Sequence, residues 1–595
     1  MAPFQYVPLP DQASARILVL EPGSGEDPIH CQLSITGVNS KDPFHCRLPS
    51  RDVKTIAAYE ALSYVWGDNT RSRKVLCHGE DLAITESLYV ALRRLRYPDK
   101  KRMLWADAIC INQDDIPERN QQVPIMREIY SNASRTLVWL GECTDSDVIA
   151  IRFLERLAQT TNLFSWGSEE CRTALRQVVR NSKDSLAELT SFEALQGFLS
   201  HSWFERVWVL QEIGVSKTAI VLCGEHELSW DSLELSIETI FTDHLMMQSM
   251  SHSLLISNSF HIVFLMQRTR DRYAQTLPLS LLLYQVRYHK STDPRDRIYA
   301  VFPLATDVPH IQLQVDYSLP LEKVFIQATR WCLESFQPYF PLSLAARNST
   351  APSDLVLPSW VPDFQRLSCE GYFQFSPAYQ AGSRLVHNPR YEGVDKEILV
   401  LSGRVFSRVS KVLSYVDHVQ SNDATELRAW LMACRNLASE RPVSRNEPFD
   451  ELWWRLVVRD GGEKDGSWTR TRRWDGVGAY GSHYLDPTVS AYLFGSDLSK
   501  DSVVREEQIR YRNAFMTHRD FCLTDNGFLG WVPIGTRIED YVCLARGGPV
   551  PLILRNISES KFQLVGDAYI HGIMDGEVMP DDWEHKYGDQ DLFIH

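Results

Sequence analysis

The sequence has no stretch of about 18 uncharged apolar residues, so it predicts no membrane-spanning helix. Its start, MAPFQYVPLPDQ, lacks the basic n-region and continuous apolar h-region of a secretory signal. The 12 cysteines include no C-x-x-C pair and follow no regular spacing. That pattern argues for a reducing compartment, and against a disulfide framework or a structural zinc site. A cytoplasmic protein is therefore expected, and the glycosylation triplets at Asn132, Asn348 and Asn556 read as coincidental. Positive charge is also short: 62 Lys and Arg stand against 76 Asp and Glu, a net charge of -14. Such a balance offers no footprint for a phosphate backbone, so nucleic acid is not an expected partner. The basic runs at Arg93 to Arg102 and Arg470 to Arg473 read as solvated surface. There is no G-x-x-x-x-G-K-[ST] phosphate loop, no H-E-x-x-H zinc helix and no G-x-S-x-G nucleophile elbow.

What remains is an ordinary globular composition, 44% hydrophobic and 23% charged. The 595 residues exceed the roughly 250 to 300 that one hydrophobic core supports, which predicts at least two domains. Alternation in RILVLEPG and IHCQLSIT, around the turn-forming GSGEDP, predicts a β-hairpin over Arg16 to Thr36, within an N-terminal extension of residues 1–58. From 59 to 240, short apolar runs alternate with helical periodicity, as in an α/β domain with a mainly parallel sheet and crossover helices. Its expected core strands are ALSYVW, RMLWA, RTLVWLG and TAIVLCG. Thr85 reads as the N-cap of a helix that buries Leu88, Leu92 and Leu95. Asp115 and Glu118 read as the start of a second helix, which either kinks at Pro124 or begins later. A helical insertion is expected from Asp145 to Ser200, a mostly helical connector over 241–395, and a β-rich domain over 396–595. The last contains a loop-rich insertion from Pro448 to Tyr484. LPSWVPDF, at Leu357 to Phe364, reads as an aromatic packing turn, and Asp293, Arg295, Asp296 and Arg297 as a solvent-facing or interdomain charge cluster.

Three strand ends carry the residues of interest. In open parallel sheets, ligands bind beyond the carboxyl ends of strands, where glycine lets the backbone approach closely. Trp66, Gly67 and Asp68 follow the first strand, Trp105, Asp107 and Asn112 follow or close the second, and Gly141 and Glu142 follow the third. Together they predict one shared cleft.

A fourth segment, SWFERVWVLQE, separates by position. Ser202 and Glu205 fit the S-x-x-E capping box of a helix start, and Trp203, Val207 and Leu210 form a buried stripe at i, i+4, i+7. Trp208 and Glu212 remain as an i, i+4 pair on another face, beside Gln211. Glu212 has no capping role, and the helix dipole disfavours a carboxylate near a C-terminus, so its placement needs another reason. The G-x-G-x-x-G of Gly476, Gly478 and Gly481 neither follows a strand nor opens a helix, and His571, Asp575 and Glu577 read as a polar turn; no metal site is expected.

Three of these segments, YEALSYVWGD, LWADAICINQDD and SWFERVWVLQE, resemble in order the signature blocks of fungal heterokaryon-incompatibility (HET) domains. DPRDRIYA and TDNGFLGWVPIGTRIEDYVCLARGGPVPLILR resemble later parts of HET-containing proteins. The resemblance implies a role in nonself recognition between fungal cells and in the death of incompatible fusions. HET domains are in turn similar to Toll/interleukin-1 receptor (TIR) domains, whose parallel α/β core can hydrolyse NAD with a glutamate in a helix reading approximately S-x-W-C-x-x-E. RVWVLQE supplies Trp208 and Glu212 at that spacing, with Val209 in place of Cys and Arg206 in place of Ser. By that resemblance Glu212 is the catalytic candidate, and Trp66, Gly67, Asp68, Trp105, Asp107 and Trp208 are the candidate binding residues. NAD is then a substrate, and no resident cofactor is implied. A TIR-like fold also implies the alternative of a noncatalytic signalling module, working by self-assembly and binding of an incompatibility partner.

Overall fold

The computed structural model describes residues 3–37, 58–164, 168–180, 191–242, 263, 277–307, 315–335, 339–345, 355–367, 379–382, 389–418, 424–440, 448–458, 461–464, 467–470, 519–558, 560–580 and 590–595. They form two compact units, residues 1–319 and 320–595. The G-x-G-x-x-G and residues 471–484 of the expected loop-rich insertion lie outside the described residues, whereas its earlier part is not loop: Phe449–Val458 is a helix, and Gly461–Lys464 pairs with Ser467–Arg470.

The first unit is built on a nine-stranded sheet. Its strands are β1 (Ser14–Leu20), β2 (His30–Gly37), β3 (Glu60–Tyr64), β4 (Arg73–Cys77), β5 (Glu80–Ile84), β6 (Arg102–Trp105), β7 (Thr136–Trp139), β8 (Ala219–Cys223) and β9 (His226–Ser229). The spatial order is β5-β4-β2-β1-β6-β3-β7-β8-β9. All four predicted core strands are present, as β3, β6, β7 and β8, and they pair in parallel as β6-β3-β7-β8. The rest of the sheet departs from the mainly parallel expectation. The predicted hairpin of β1 and β2 joins it antiparallel through Leu18↔Leu104, β4 pairs antiparallel with β5, and β9 closes the other edge antiparallel to β8. The sheet is therefore mixed, because hairpins supply antiparallel neighbours on both sides of a parallel centre whose own connections are long crossovers.

The crossovers follow their local signals. Helix α1 (Glu86–Leu95) is capped by the Thr85 side chain and buries Leu88, Ala91, Leu92 and Leu95. A single turn, α2 (Asp107–Cys110), and then α3 (Ile116–Asn132) lead from β6 to β7; the Asp115 side chain accepts from the Glu118 N–H, and α3 runs on through Pro124. The helix therefore does not begin late. Helices α4 (Asp145–Leu163), α5 (Glu169–Arg180) and α6 (Ser191–Leu199) form the expected helical insertion. A 3-10 turn over Ser202–Glu205 and the short α7 (Val209–Gly214) return the chain to β8, and α8 (Trp230–Thr242) follows β9.

The hairpin is tied to α3 by charge as well as by the ladder. Arg16 of β1 is 2% exposed and grips Glu118 with both terminal nitrogens, at 2.6 and 2.9 Å. It also donates to the carbonyls of Cys110 and Val7, while the Asn112 N–H donates to Glu118. Two charges taken from water together, with their remaining sites hydrogen-bonded, are tolerable; one left alone is not.

In the second unit, one 16-residue strand, Ile398–Leu413, organises a small barrel. It pairs with Tyr541–Ala545, which pairs with Leu552–Ser558, then Lys561–Asp567, then in parallel Gln590–Ile594, which returns to the long strand. Closure removes the edges, as expected for the predicted β-rich region. Beyond the barrel the long strand also pairs with Arg519–Thr524, beside a core that contains Trp430, Trp453, Phe521 and Trp531. LPSWVPDF packs as predicted: Trp360 is fully buried and donates to the Glu397 carbonyl. Among the described residues no helix is long and apolar enough to cross a membrane.

Glu118→Ala strands the buried Arg16 charge. It is expected to lower stability by about 3–5 kcal/mol, whereas Arg16→Met with Glu118→Leu costs less because no charge is left unpaired. Urea unfolding of the two variants beside the unaltered chain checks this ordering.

Candidate functional site

The strand ends of β3 and β6 open into a cleft of about 770 Å³. Gly67, in the left-handed region at φ 69°, follows β3, and Trp66 lies half-buried in the wall. The Trp66 indole donates to Asp107 at 2.9 Å, which joins the first two sequence blocks directly. Asp107 opens α2, where its other oxygen accepts from the Ala108 N–H at 2.8 Å. Burial raises the Asp107 carboxyl above the usual range, against the opposing charge of Arg206.

The third block supplies Trp208 and Arg206 to the same cleft. Its local structure differs from the expected single helix. Ser202 makes no cap bond, and Glu205 pairs with Lys290 at 2.7 Å. Arg206 bridges to Lys290 in extended backbone, and helix starts only at Val209, with Trp208 at the N-cap. The reason lies outside the block. Backbone bonds from Val207 to the Lys290 carbonyl and from Lys290 to the Glu205 carbonyl hold this segment extended, a tertiary pairing that overrides the helical signature. Trp203, Val207 and Leu210 are nonetheless all fully buried, as expected.

Glu212 is not solvated. It is 2% exposed, its carboxylate accepts from the Ser63 hydroxyl, and that hydroxyl accepts from the Trp203 indole at 2.7 Å. Arg206 approaches Glu212 at 3.8 Å and donates to the Tyr64 carbonyl. Burial raises the Glu212 carboxyl to about 7, with Arg206 and Ser63 pulling the other way and Asp107 adding to the rise. Glu212 sits behind Arg206, which lines the cleft, and one turn along α7 from Trp208, whose carbonyl accepts from its N–H.

Of the remaining candidates, Trp105 is fully buried against Tyr130, with ring centroids 5.4 Å apart, and offers the cleft no surface. Asp68 is exposed and accepts from the backbone and hydroxyl of Thr70, which makes it a turn residue. Gly141 and Glu142 do not line the cleft.

The wall opposite comes from a segment read in the sequence as a surface charge cluster. Asp293, Pro294, Arg295, Asp296 and Tyr317 all line the cleft. Asp293 and Arg295 pair bidentately, at 2.9 and 2.7 Å. Tyr317 donates to Asp296 at 2.7 Å, and Arg119 lies over the Tyr317 ring at 4.3 Å. Burial raises the Asp296 carboxyl to about 6, opposed by hydrogen bonds from Tyr317 and Trp208. The signal in the sequence was DPRDR itself, but a charge run has no periodicity that says which way it faces. The assembled cleft offers stackable rings, the three carboxyls of Asp107, Asp293 and Asp296, and a majority of basic side chains, namely Arg71, Arg119, Arg206, Lys290 and Arg295. Flat, partly anionic ligands suit such a lining.

Residues 59–212, which supply most of this geometry, match the heterokaryon incompatibility protein (HET) family model. Residues 499–587 match the Het-6 beta-barrel domain, consistent with the barrel described above. Over most of its length the chain is similar to heterokaryon incompatibility protein 6, OR allele, of Neurospora crassa, at 25% identity across 88% of this chain and 90% of that protein. No solved structure matches the chain.

A carboxyl raised from 3.8 to about 6 is protonated in the fold at a pH where the unfolded chain is ionised, so its contribution to stability is present below pH 4 and lost as pH rises through 6. Asp296→Asn removes that loss. The variant is expected to gain roughly 1–2 kcal/mol on the unaltered chain between pH 4 and pH 7, the full shift being reduced by water at the cleft. Paired denaturant titrations at the two pH values measure the gain.

Proposed function

We propose that this protein acts in the fungal cytoplasm in nonself recognition leading to the death of incompatible fusions, and that its cleft binds and hydrolyses NAD. The role rests on the HET-domain match and on the similarity to the Neurospora incompatibility protein along nearly the whole of both chains. The chemistry rests above all on one observation, the buried Glu212 placed one helical turn behind the cleft-lining Trp208 and held beside Arg206.

NAD's nicotinamide leaves as a neutral molecule from a positively charged ribosyl-pyridinium, so the departing group needs no proton. A single ionised carboxylate can hold the ribose hydroxyls and stabilise the oxocarbenium-like charge. In this reading Trp66 stacks on a base, Gly67 permits backbone approach to the diphosphate, and Arg206 turns to the diphosphate. That movement gives up the contact with Glu212, already long at 3.8 Å, and lets the carboxylate come forward to the ribose. Of the residues suggested by the TIR resemblance, Trp66, Gly67, Asp107 and Trp208 have a place in this cleft.

Free nicotinamide released from NAD by the purified chain is the direct readout. Glu212→Gln is expected to lower the rate about 100- to 1000-fold, the size of loss seen when an electrostatic stabiliser is removed. Because the ionised form of Glu212 is the active one, the rate is expected to climb through pH 6 to 7 and level off about one unit above its value of about 7. Equal nicotinamide release from the variant and the unaltered chain would show that Glu212 is not the catalytic group.

A further inference from the structure

We propose that Cys143, Cys223 and Asp147 form a binding site for a thiophilic divalent cation, zinc being the best chemical match, at the ends of β7 and β8. None of the three lines the cleft. The two cysteines are 80 positions apart in the sequence, but β7 and β8 are parallel neighbours that end side by side. One donor atom from each of the three residues lies within 4.8 Å of the others. Zinc–sulfur bonds of 2.3 Å at a tetrahedral angle set two sulfurs about 3.8 Å apart, so the cluster needs little adjustment to close on an ion.

The approach is built into the backbone. Gly224, at φ 53°, follows Cys223 and donates to the Gly141 carbonyl at 2.8 Å. A Cβ on Gly224 would stand 2.8 Å from the Cys143 Cβ and 3.0 Å from its nitrogen, so a glycine here is what lets the Cys143 segment press against the end of β8. Asp147 arrives from the first turn of α4 with its carboxylate already oriented. One oxygen accepts from the Thr144 N–H and hydroxyl at 2.9 and 2.7 Å, and the other contacts the His201 Nε2 at 2.9 Å. A hydrogen-bonded ligand of this kind is the usual outer-shell arrangement at a metal site.

The donor set selects the ion. Two thiolates favour zinc over magnesium or calcium, which take oxygen ligands, and three protein ligands leave a fourth position for water. Cys143 is half-buried and supplies a route in, while Cys223 is buried. Binding forms two metal–sulfur bonds and one metal–oxygen bond and releases the two thiol protons to solvent.

The test uses the full chain, stripped of metal with a chelator and kept reduced, titrated with cobalt(II) as the probe and then with zinc. We expect one equivalent of cobalt to produce a thiolate-to-metal charge-transfer band, displacement by zinc, and release of about two protons per ion. Cys143→Ser and Cys223→Ser should each abolish the band, and His201→Ala should weaken binding about 10- to 100-fold. The half-exposed Cys143 gives a variant that keeps the fold, checked by circular dichroism, should the buried Cys223→Ser fail to fold. Absence of the band overturns the proposal, as does a band that survives in Cys143→Ser. So does a Cys143–Cys223 disulfide that forms in air together with no cobalt binding in reductant.

Discussion

Burying the Glu212 carboxylate is the constraint around which the first unit is arranged. A carboxylate removed from water is costly unless it is hydrogen-bonded and offset by charge, and here each compensating group comes from a different stretch of chain. Ser63 is the third residue past the start of β3, Trp203 belongs to the 3-10 turn, and Arg206 lies in the extended segment before α7. Arg206 also takes the Tyr64 carbonyl at the end of β3, so one guanidinium links the strand, the buried acid and the cleft. The compensation is incomplete, since the carboxyl still sits at about 7. An acid poised near neutrality inside a structural network is a common mark of a functional position.

That network accounts for the three HET blocks as one object. The first block supplies Ser63, Tyr64, Trp66 and Gly67, the second supplies Asp107, and the third supplies Trp203, Arg206, Trp208 and Glu212. Arg206 of the third block approaches the carboxylate, and Ser63 on a neighbouring strand gives its hydroxyl to Glu212. The segment around Asp296 and Tyr317 completes the wall, which places a fourth region of the sequence in the same site.

Much of the fold was legible because its signals are local. Thr85 caps α1, the Asp115–Glu118 pair starts α3, and four short apolar runs became the four parallel strands. The lining of the cleft was legible where position at a strand end decides it, as with Trp66, Gly67 and Asp107. It was not legible where burial decides. Trp105 and Trp66 look alike in sequence, each close to a strand end next to an acidic residue, yet Trp105 closes β6 pointing into the core while Trp66 stands beyond β3 in the cleft wall. Ser202 and Glu205 match a capping box, but pairing with Lys290 holds the chain extended after a single 3-10 turn.

The sequence by itself determined the three ordered blocks, the parallel centre of the sheet, the β-rich character of the C-terminal region and the singling out of Glu212, because each depends on residue order or short-range periodicity. Only the tertiary structure decided that the N-terminal hairpin belongs to the same sheet, that the DPRDR segment faces the cleft, and that Glu212 is buried against Ser63 and Arg206. It alone brought Cys143 and Cys223 together. No C-x-x-C spacing announces that pair, because the two thiols meet through parallel strands whose crossover consumes some eighty residues, and side chains gathered in that way leave no period in the sequence.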